Sequence, residues 1–99
     1  MNIVDWRRKM DEIDKQLVEL LNARCKCALE IGHLKVQAKI PLYQPAREKE
    51  VLDNAETNNK GPLSHEAIRR LFERIIDEAR SAERVAMHGD SSITGDGER

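Results

Sequence analysis

The sequence predicts an all-α protein with three helices, of which the first is long, the second short and the third long. Apolar residues recur every three or four positions, prolines lie only at the ends of these periodic segments, and no segment alternates as a strand would. The chain has 99 residues, of which 35% are charged and 39% hydrophobic, which suits a single small domain rich in amphipathic helix.

The first helix, α1, is predicted from about Asp5, which can cap its start, to Ala38. Gly32 costs about 1 kcal/mol relative to alanine inside a helix, but it lets another group approach the backbone closely. The apolar positions form a coiled-coil-like seam, called here the α1 seam: Met10, Ile13, Leu17, Leu20, Cys27, Ile31, Leu34 and Ala38.

Two prolines, Pro41 and Pro45, end the first helix, and Pro45 suits the first turn of a second helix that runs to about Glu56. A turn at residues 58–62 separates it from a third helix, which Ser64 can cap. The glycine-rich and serine-rich composition from 88 onward predicts a helical domain at 1–87 and a disordered tail at 88–99. The apolar face of the third helix comprises Ile68, Leu71, Phe72, Ile75, Ile76, Ala79, Ala82 and Ala86.

The predicted length of the first helix indicates a dimer. About 34 helical residues extend ~51 Å, whereas a compact chain of this size has a radius of gyration of about 13 Å. The helix must therefore project beyond its own subunit, and its seam would be exposed to water. A second copy of the chain is the simplest cover for it, so we expect a homodimer.

Several charged residues occupy positions that helical spacing assigns to apolar faces. Arg24 interrupts the α1 seam, Lys35 lies beside it three turns later, and Glu83 interrupts the third helix. Arg47 and Glu48 likewise open the second helix. Such charges are often structural ion pairs or reach solvent, but a small helical dimer has little reason to bury so many. An anionic ligand explains them better.

Arg7 is 17 residues before Arg24, about 25 Å along one helix, so it could join the same site only from another subunit.

Composition argues against several other classes of protein. Lys and Arg total 17 against 18 Asp and Glu, which does not favour a nucleic-acid or membrane-surface binder. No apolar run approaches the ~20 residues that cross a bilayer, and the start does not resemble a signal peptide, so we expect a cytoplasmic protein. Cys25 and Cys27 are interpreted as free thiols, and neither they nor the three histidines have the spacing of a metal site.

Three segments together resemble the all-helical chorismate mutases: WRRKMDEIDKQLVELLNAR at 6–24, EIGHLK at 30–35 and PLYQPARE at 41–48. The resemblance extends over about residues 5–86. It implies an intertwined homodimer with two sites, each completed by the partner, and the Claisen rearrangement of chorismate to prephenate on the route to phenylalanine and tyrosine. It implies no metal and no organic cofactor.

The resemblance also implies a role for individual residues. Arg24 and Arg7 of the partner subunit would hold the two carboxylates of chorismate, and Lys35 would bind a carboxylate and the ether oxygen. Glu48 would accept a hydrogen bond from the substrate hydroxyl, and Arg47 would support this face. The remaining expected contacts are made by Gln44, Ile31, Ile76 and Ala79.

Three positions depart from a common version of the family pattern. Gln44 replaces an acidic residue, Ala79 replaces a serine, and Glu83 stands where a glutamine often donates to the ether oxygen. An ionised carboxylate cannot donate a hydrogen bond, so we expect Glu83 to act as the protonated acid. Burial would raise its pKa and Lys35 would lower it.

Two other functions are compatible with the same sequence. Isochorismate pyruvate lyase shares the helical fold and the cationic site, and release of pyruvate would distinguish it. A helical dimerisation or regulatory module would instead use the charges in the seam to fix register. In such a module, Arg24→Leu would stabilise the dimer, and no function except the choice of partner would be lost.

Overall fold

The computed structural model describes residues 1–88, and over that range it consists of three α-helices without a strand. They are α1 (Ile3–Ala38), α2 (Pro45–Asn58) and α3 (His65–His88). The predicted all-α class and the long, short, long order are therefore confirmed. Of the predicted tail at 88–99, His88 is the last residue of α3, and the rest of that segment lies outside the described residues.

The start of α1 differs from the prediction that Asp5 caps it. Asn2 is the N-cap residue, and its side-chain oxygen accepts a hydrogen bond from the Asp5 backbone N–H at 2.9 Å. The Asp5 carboxylate in turn accepts from the Asn2 backbone N–H at 3.3 Å, which completes a capping box. Asp5 is thus the acidic partner in the first turn. At the other end, Lys39 adopts a left-handed conformation with φ of 59° and stops the helix.

The later helix boundaries follow the predicted signals closely. Pro45 begins α2, which extends two residues beyond the predicted end at Glu56. The hydroxyl of Ser64 accepts from the Ala67 backbone N–H at 3.0 Å, so the predicted cap of α3 is confirmed.

The third helix holds the subunit together because it packs against both α1 and α2. Gly32 is the buried residue of α1, and a Cβ there would lie 3.2 Å from Cε of Met87 and 3.6 Å from Cγ of Glu83. The predicted close approach at this glycine is confirmed. Between α2 and α3, Arg69 pairs with Glu56 at 2.5 Å and with Asp53 at 3.4 Å.

The described chain measures 53 × 33 × 18 Å, with a radius of gyration of 16.6 Å. The long helix therefore projects, as predicted, and every position of the α1 seam is exposed. Leu20 is 66% exposed and Leu34 64%, whereas Leu52 of α2 is the buried apolar side chain of the core. Within residues 1–88 no helix has an apolar stretch long enough to cross a bilayer.

Candidate active site

A cavity of about 440 Å³ lies where the C-terminal half of α1, the start of α2 and the second half of α3 come together. Its volume is in the range of pockets that enclose small metabolites. The structure brings nearly all of the predicted site residues to this one cavity: Arg24, Ile31, Lys35, Gln44, Arg47, Glu48, Ile76, Ala79 and Glu83.

Arg7 is the predicted site residue that the cavity does not include. It is exposed on the N-terminal part of α1, about 25 Å along the helix from Arg24. Both residues belong to one rigid helix, so no bending within the subunit can bring them together.

The cations of α1 are half-buried on the wall of the cavity. Arg24 and Lys35 are three helical turns apart, so they lie on the same face of the helix. The ammonium group of Lys35 donates a hydrogen bond to the backbone carbonyl of Leu42 at 3.1 Å. This bond ties the loop after α1 to the cavity wall, and the ammonium group retains two further N–H donors.

The first turn of α2 supplies the opposite wall. Gln44 is the N-cap residue but makes no side-chain capping bond, so its amide is not committed to the helix. Pro45 has no backbone N–H to satisfy, and the Arg47 backbone N–H donates to the backbone carbonyl of Gln44 at 3.1 Å. Arg47 lines the cavity with an exposed side chain, which pairs with Glu50 at 2.6 Å.

Glu48 is hydrogen-bonded to Arg80, a residue that the sequence analysis did not assign to the site. Its Oε2 accepts a hydrogen bond from Nη2 of Arg80 on α3 at 2.5 Å, and the guanidinium of Arg80 stacks over the Tyr43 ring at 4.9 Å. A signal was present, because Arg80 lies four residues after Ile76 and three before Glu83, on one helical stripe. Other lining residues not assigned to the site are Cys27, Ala28, Leu42 and Val51.

Glu83 is buried, with only 8% of its surface exposed. Loss of solvation raises the pKa of its carboxyl group above the usual value, although the positive charges of Lys35 and Arg80 act in the opposite direction. The carboxylate of Glu48 raises that pKa further. The net upward shift increases the fraction of Glu83 that is protonated and able to donate a hydrogen bond.

Cationic residues outnumber carboxylates in this cavity, and Ile31, Val51 and Ile76 give it apolar walls. Such a site can bind a small molecule that carries more than one negative charge. It can also hold that molecule in one conformation, with Glu48 as a hydrogen-bond acceptor and Lys35 as a donor.

Residues 6–84 match the sequence profile of the family described as chorismate mutase type II, which is most of the chain. The chain belongs to the chorismate mutase type II family. This result confirms the resemblance identified in the sequence.

Other members of the chorismate mutase family support the assignment. A structure of a chorismate mutase from Thermus thermophilus superposes with a TM-score of 0.81 at 33% identity, covering 83% of this chain and 93% of that one. The bifunctional chorismate mutase/prephenate dehydratase of Neisseria gonorrhoeae is 38% identical over 82 residues, which is 83% of this chain. A chorismate mutase of Methanocaldococcus jannaschii is 35% identical over 51 residues, about half of each chain.

The chain spans about a fifth of the length of the bifunctional relatives that it matches, 22% of the Neisseria gonorrhoeae protein and 23% of its Aquifex aeolicus counterpart. The similarity therefore concerns one segment of those proteins.

Proposed function

We propose that this chain is a chorismate mutase, an isomerase that converts chorismate to prephenate in the synthesis of phenylalanine and tyrosine. One observation carries the proposal: Arg24, Lys35, Glu48 and Glu83 all line one cavity in a member of this family. Chorismate carries two carboxylates and one hydroxyl, and this set of donors and acceptors suits those groups.

The reaction is unimolecular, so it needs neither a nucleophile nor a metal or organic cofactor. The site accelerates it by holding the compact, chair-like conformer and by stabilising the negative charge that develops on the ether oxygen. Arg24 and Arg7 of the partner subunit bind the carboxylates. Lys35 binds a carboxylate and donates to the ether oxygen as the carbon–oxygen bond breaks.

The remaining groups orient the substrate. Glu48 accepts a hydrogen bond from the hydroxyl, and Arg47 supports the same face of α2. Ile31 and Ile76 pack against the ring, while Gln44 and Ala79 complete the wall. Glu83, in its protonated form, is the second donor to the ether oxygen.

The active form in this proposal is a homodimer. The α1 seam is exposed along a helix that projects from its own subunit, and large exposed apolar patches usually mark interfaces. A second copy lying along α1 would cover the seam. It would also bring Arg7 of the partner subunit to the cavity, which the geometry of one chain does not allow.

The test is a continuous assay of chorismate loss with the purified chain, with prephenate identified as the product. We expect turnover by the wild type and at least a hundredfold loss in Arg24→Ala, because removal of one charged hydrogen bond costs about 1.5–3 kcal/mol and a desolvated site adds to that. Arg74→Met is the matched control, since Arg74 lies on the exposed side of α3 and, among residues 1–88, pairs only with Glu78.

Two results would overturn the proposal. Turnover of isochorismate with release of pyruvate, without conversion of chorismate, would assign the lyase reaction instead. Absence of both reactions, with a more stable dimer in Arg24→Leu, would indicate a non-enzymatic helical module.

A further inference from the structure

Arg80 connects two walls of the cavity, and the proposed function gives it no role. Its Nη2 lies 2.5 Å from Oε2 of Glu48, a residue 32 positions earlier in the sequence. The side chains of Arg80 and Glu48 are 32% and 27% exposed, so both are largely shielded from water. A charged hydrogen bond in such surroundings holds its partners more firmly than an exposed ion pair does.

The Tyr43 ring also restrains the guanidinium group of Arg80. Its ring centroid lies 4.9 Å from the central carbon of the Arg80 guanidinium, within the range of a cation–π contact. The loop before α2, the first turn of α2 and the second half of α3 thus converge on one side chain. Arg80 therefore has little freedom to move, and neither does the carboxylate that it binds.

The arrangement is not explained by stability alone. Nε of Arg80 is buried and has no hydrogen-bond acceptor among the described residues. A buried N–H without an acceptor destabilises a fold, and the second carboxylate beside Arg80, that of Asp77, lies 3.9 Å from its Nη2, which is too far for a hydrogen bond. Arg69 already braces α2 against α3 with hydrogen bonds to both Glu56 and Asp53.

We propose that Arg80 is a positioning residue: it holds Glu48 through Oε2 and leaves Oε1 free to accept the hydroxyl of the substrate. This inference depends on the proposed function, because that function supplies the hydroxyl. Without Arg80 the Glu48 carboxylate would turn freely toward solvent or toward the ammonium group of Lys35. The substrate would then lose an acceptor that is oriented before binding.

The test compares chorismate with an analogue in which hydrogen replaces the hydroxyl, using wild type and Arg80→Met. Loss of a hydrogen bond to a charged acceptor corresponds to roughly a 10- to 100-fold decrease in kcat/KM for chorismate. We expect most of it as an increase in KM, because the contact is present before and during the reaction. For the analogue, the change should be less than about threefold, measured as its inhibition constant against chorismate, so that the analogue itself need not react.

Two further variants complete the test. Arg80→Lys retains the charge but not the planar, stacked geometry, so it should restore part of the chorismate activity without changing binding of the analogue. If Arg80→Met fails to fold, Arg80→Lys can be compared with the wild type in its place. Arg74→Met removes an arginine two turns earlier on the exposed side of the same helix and should leave both constants unchanged.

The outcomes separate this inference from the function on which it depends. If the wild type does not convert chorismate, the proposed function fails. If the wild type is active but the Arg80 variants weaken chorismate and the analogue by the same factor, Arg80 is a structural brace and the inference is wrong. Selective loss for chorismate alone supports it.

Discussion

Glu83 is a carboxylic acid that the fold buries at a position where the proposed reaction needs a hydrogen-bond donor. Burial raises its pKa, and the neighbouring Glu48 carboxylate acts in the same direction. Lys35 and Arg80 oppose this shift without reversing it. An unperturbed glutamic acid would be protonated in only about one molecule in 500 at pH 7, so the upward shift is what makes the proposed role feasible.

We predict that kcat/KM for chorismate rises as the pH is lowered from about 8 to 5, because protonation of Glu83 creates the active donor. Glu83→Gln should flatten this profile, since its amide donates at every pH. The measurement is initial rate against pH for both proteins. A wild-type rate that is flat or climbs toward pH 8 would contradict the role of Glu83.

The same shift has a consequence for folding. The folded pKa of Glu83 exceeds the unfolded one, so its stabilising contribution is complete below the unfolded pKa and is lost as the pH rises through the folded pKa. Glu83→Gln should therefore have the higher Tm at pH 7, with the difference vanishing near pH 4. An equal Tm for both proteins at pH 7 would show that burial does not perturb this carboxyl group.

At the scale of single residues, the sequence predicted those site residues that carry a charge where the helical pattern expects an apolar side chain. Arg24 and Lys35 were recognisable because they interrupt or border the α1 seam, and both line the cavity. Arg80 was missed because it lies beside Ala79 at the edge of the apolar face of α3. The role proposed for Arg80 depends on its contacts with Glu48 and Tyr43, which are distant in sequence, and no local pattern contains those contacts.

The contact between α1 and α3 at Gly32 places the two longest helices at the distance that the cavity requires. Cε of Met87 and Cγ of Glu83 approach the position of an absent Cβ at 3.2 and 3.6 Å. The missing side chain of Gly32 predicted that another group could approach the helix there. It could not identify the residue, because the alignment of α3 along α1 is set by packing between elements. The start of α1 is a similar case. The sequence predicted a side-chain cap at Asp5, whereas the N-cap is Asn2, three residues earlier.

We predict that Gly32→Leu lowers the free energy of unfolding by about 1–3 kcal/mol, the usual effect of overpacking, and reduces turnover because it displaces Glu83. Gly32→Ala is the matched control. The flexible end of Met87 can move by a few tenths of an ångström, and alanine favours the helix by about 1 kcal/mol, so its stability should change little. Chemical denaturation and the chorismate assay measure both effects. A leucine variant as stable and active as the alanine variant would show that α3 does not depend on this contact.

Over residues 1–88 the molecule is elongated, 53 Å in its longest dimension, and its core is too small to bury the apolar residues of α1. Simple length arithmetic predicted this projection from the sequence, because a helix without proline has a fixed rise per residue. The sequence could not predict the path that a second copy of the chain takes as it packs along α1. That path depends on how two surfaces fit together, and spacing within one chain does not determine it.

The proposal of a site shared between two subunits depends on the positions of two arginines. Arg24 lines the cavity, and Arg7 lies about 25 Å from it on the same rigid helix. If both bind one substrate, they come from different subunits. Each variant that lacks one of these arginines is then inactive alone, yet each still carries the residue that the other lacks.

Mixing the variants Arg7→Ala and Arg24→Ala is the most direct measurement of this account. After subunit exchange, half of the dimers are hybrids, and each hybrid contains one site with both arginines and one site with neither. We predict that two nearly inactive preparations recover about one quarter of wild-type turnover of chorismate when mixed in equal amounts. A mixture that stays as inactive as its components after verified exchange would contradict a site shared between subunits.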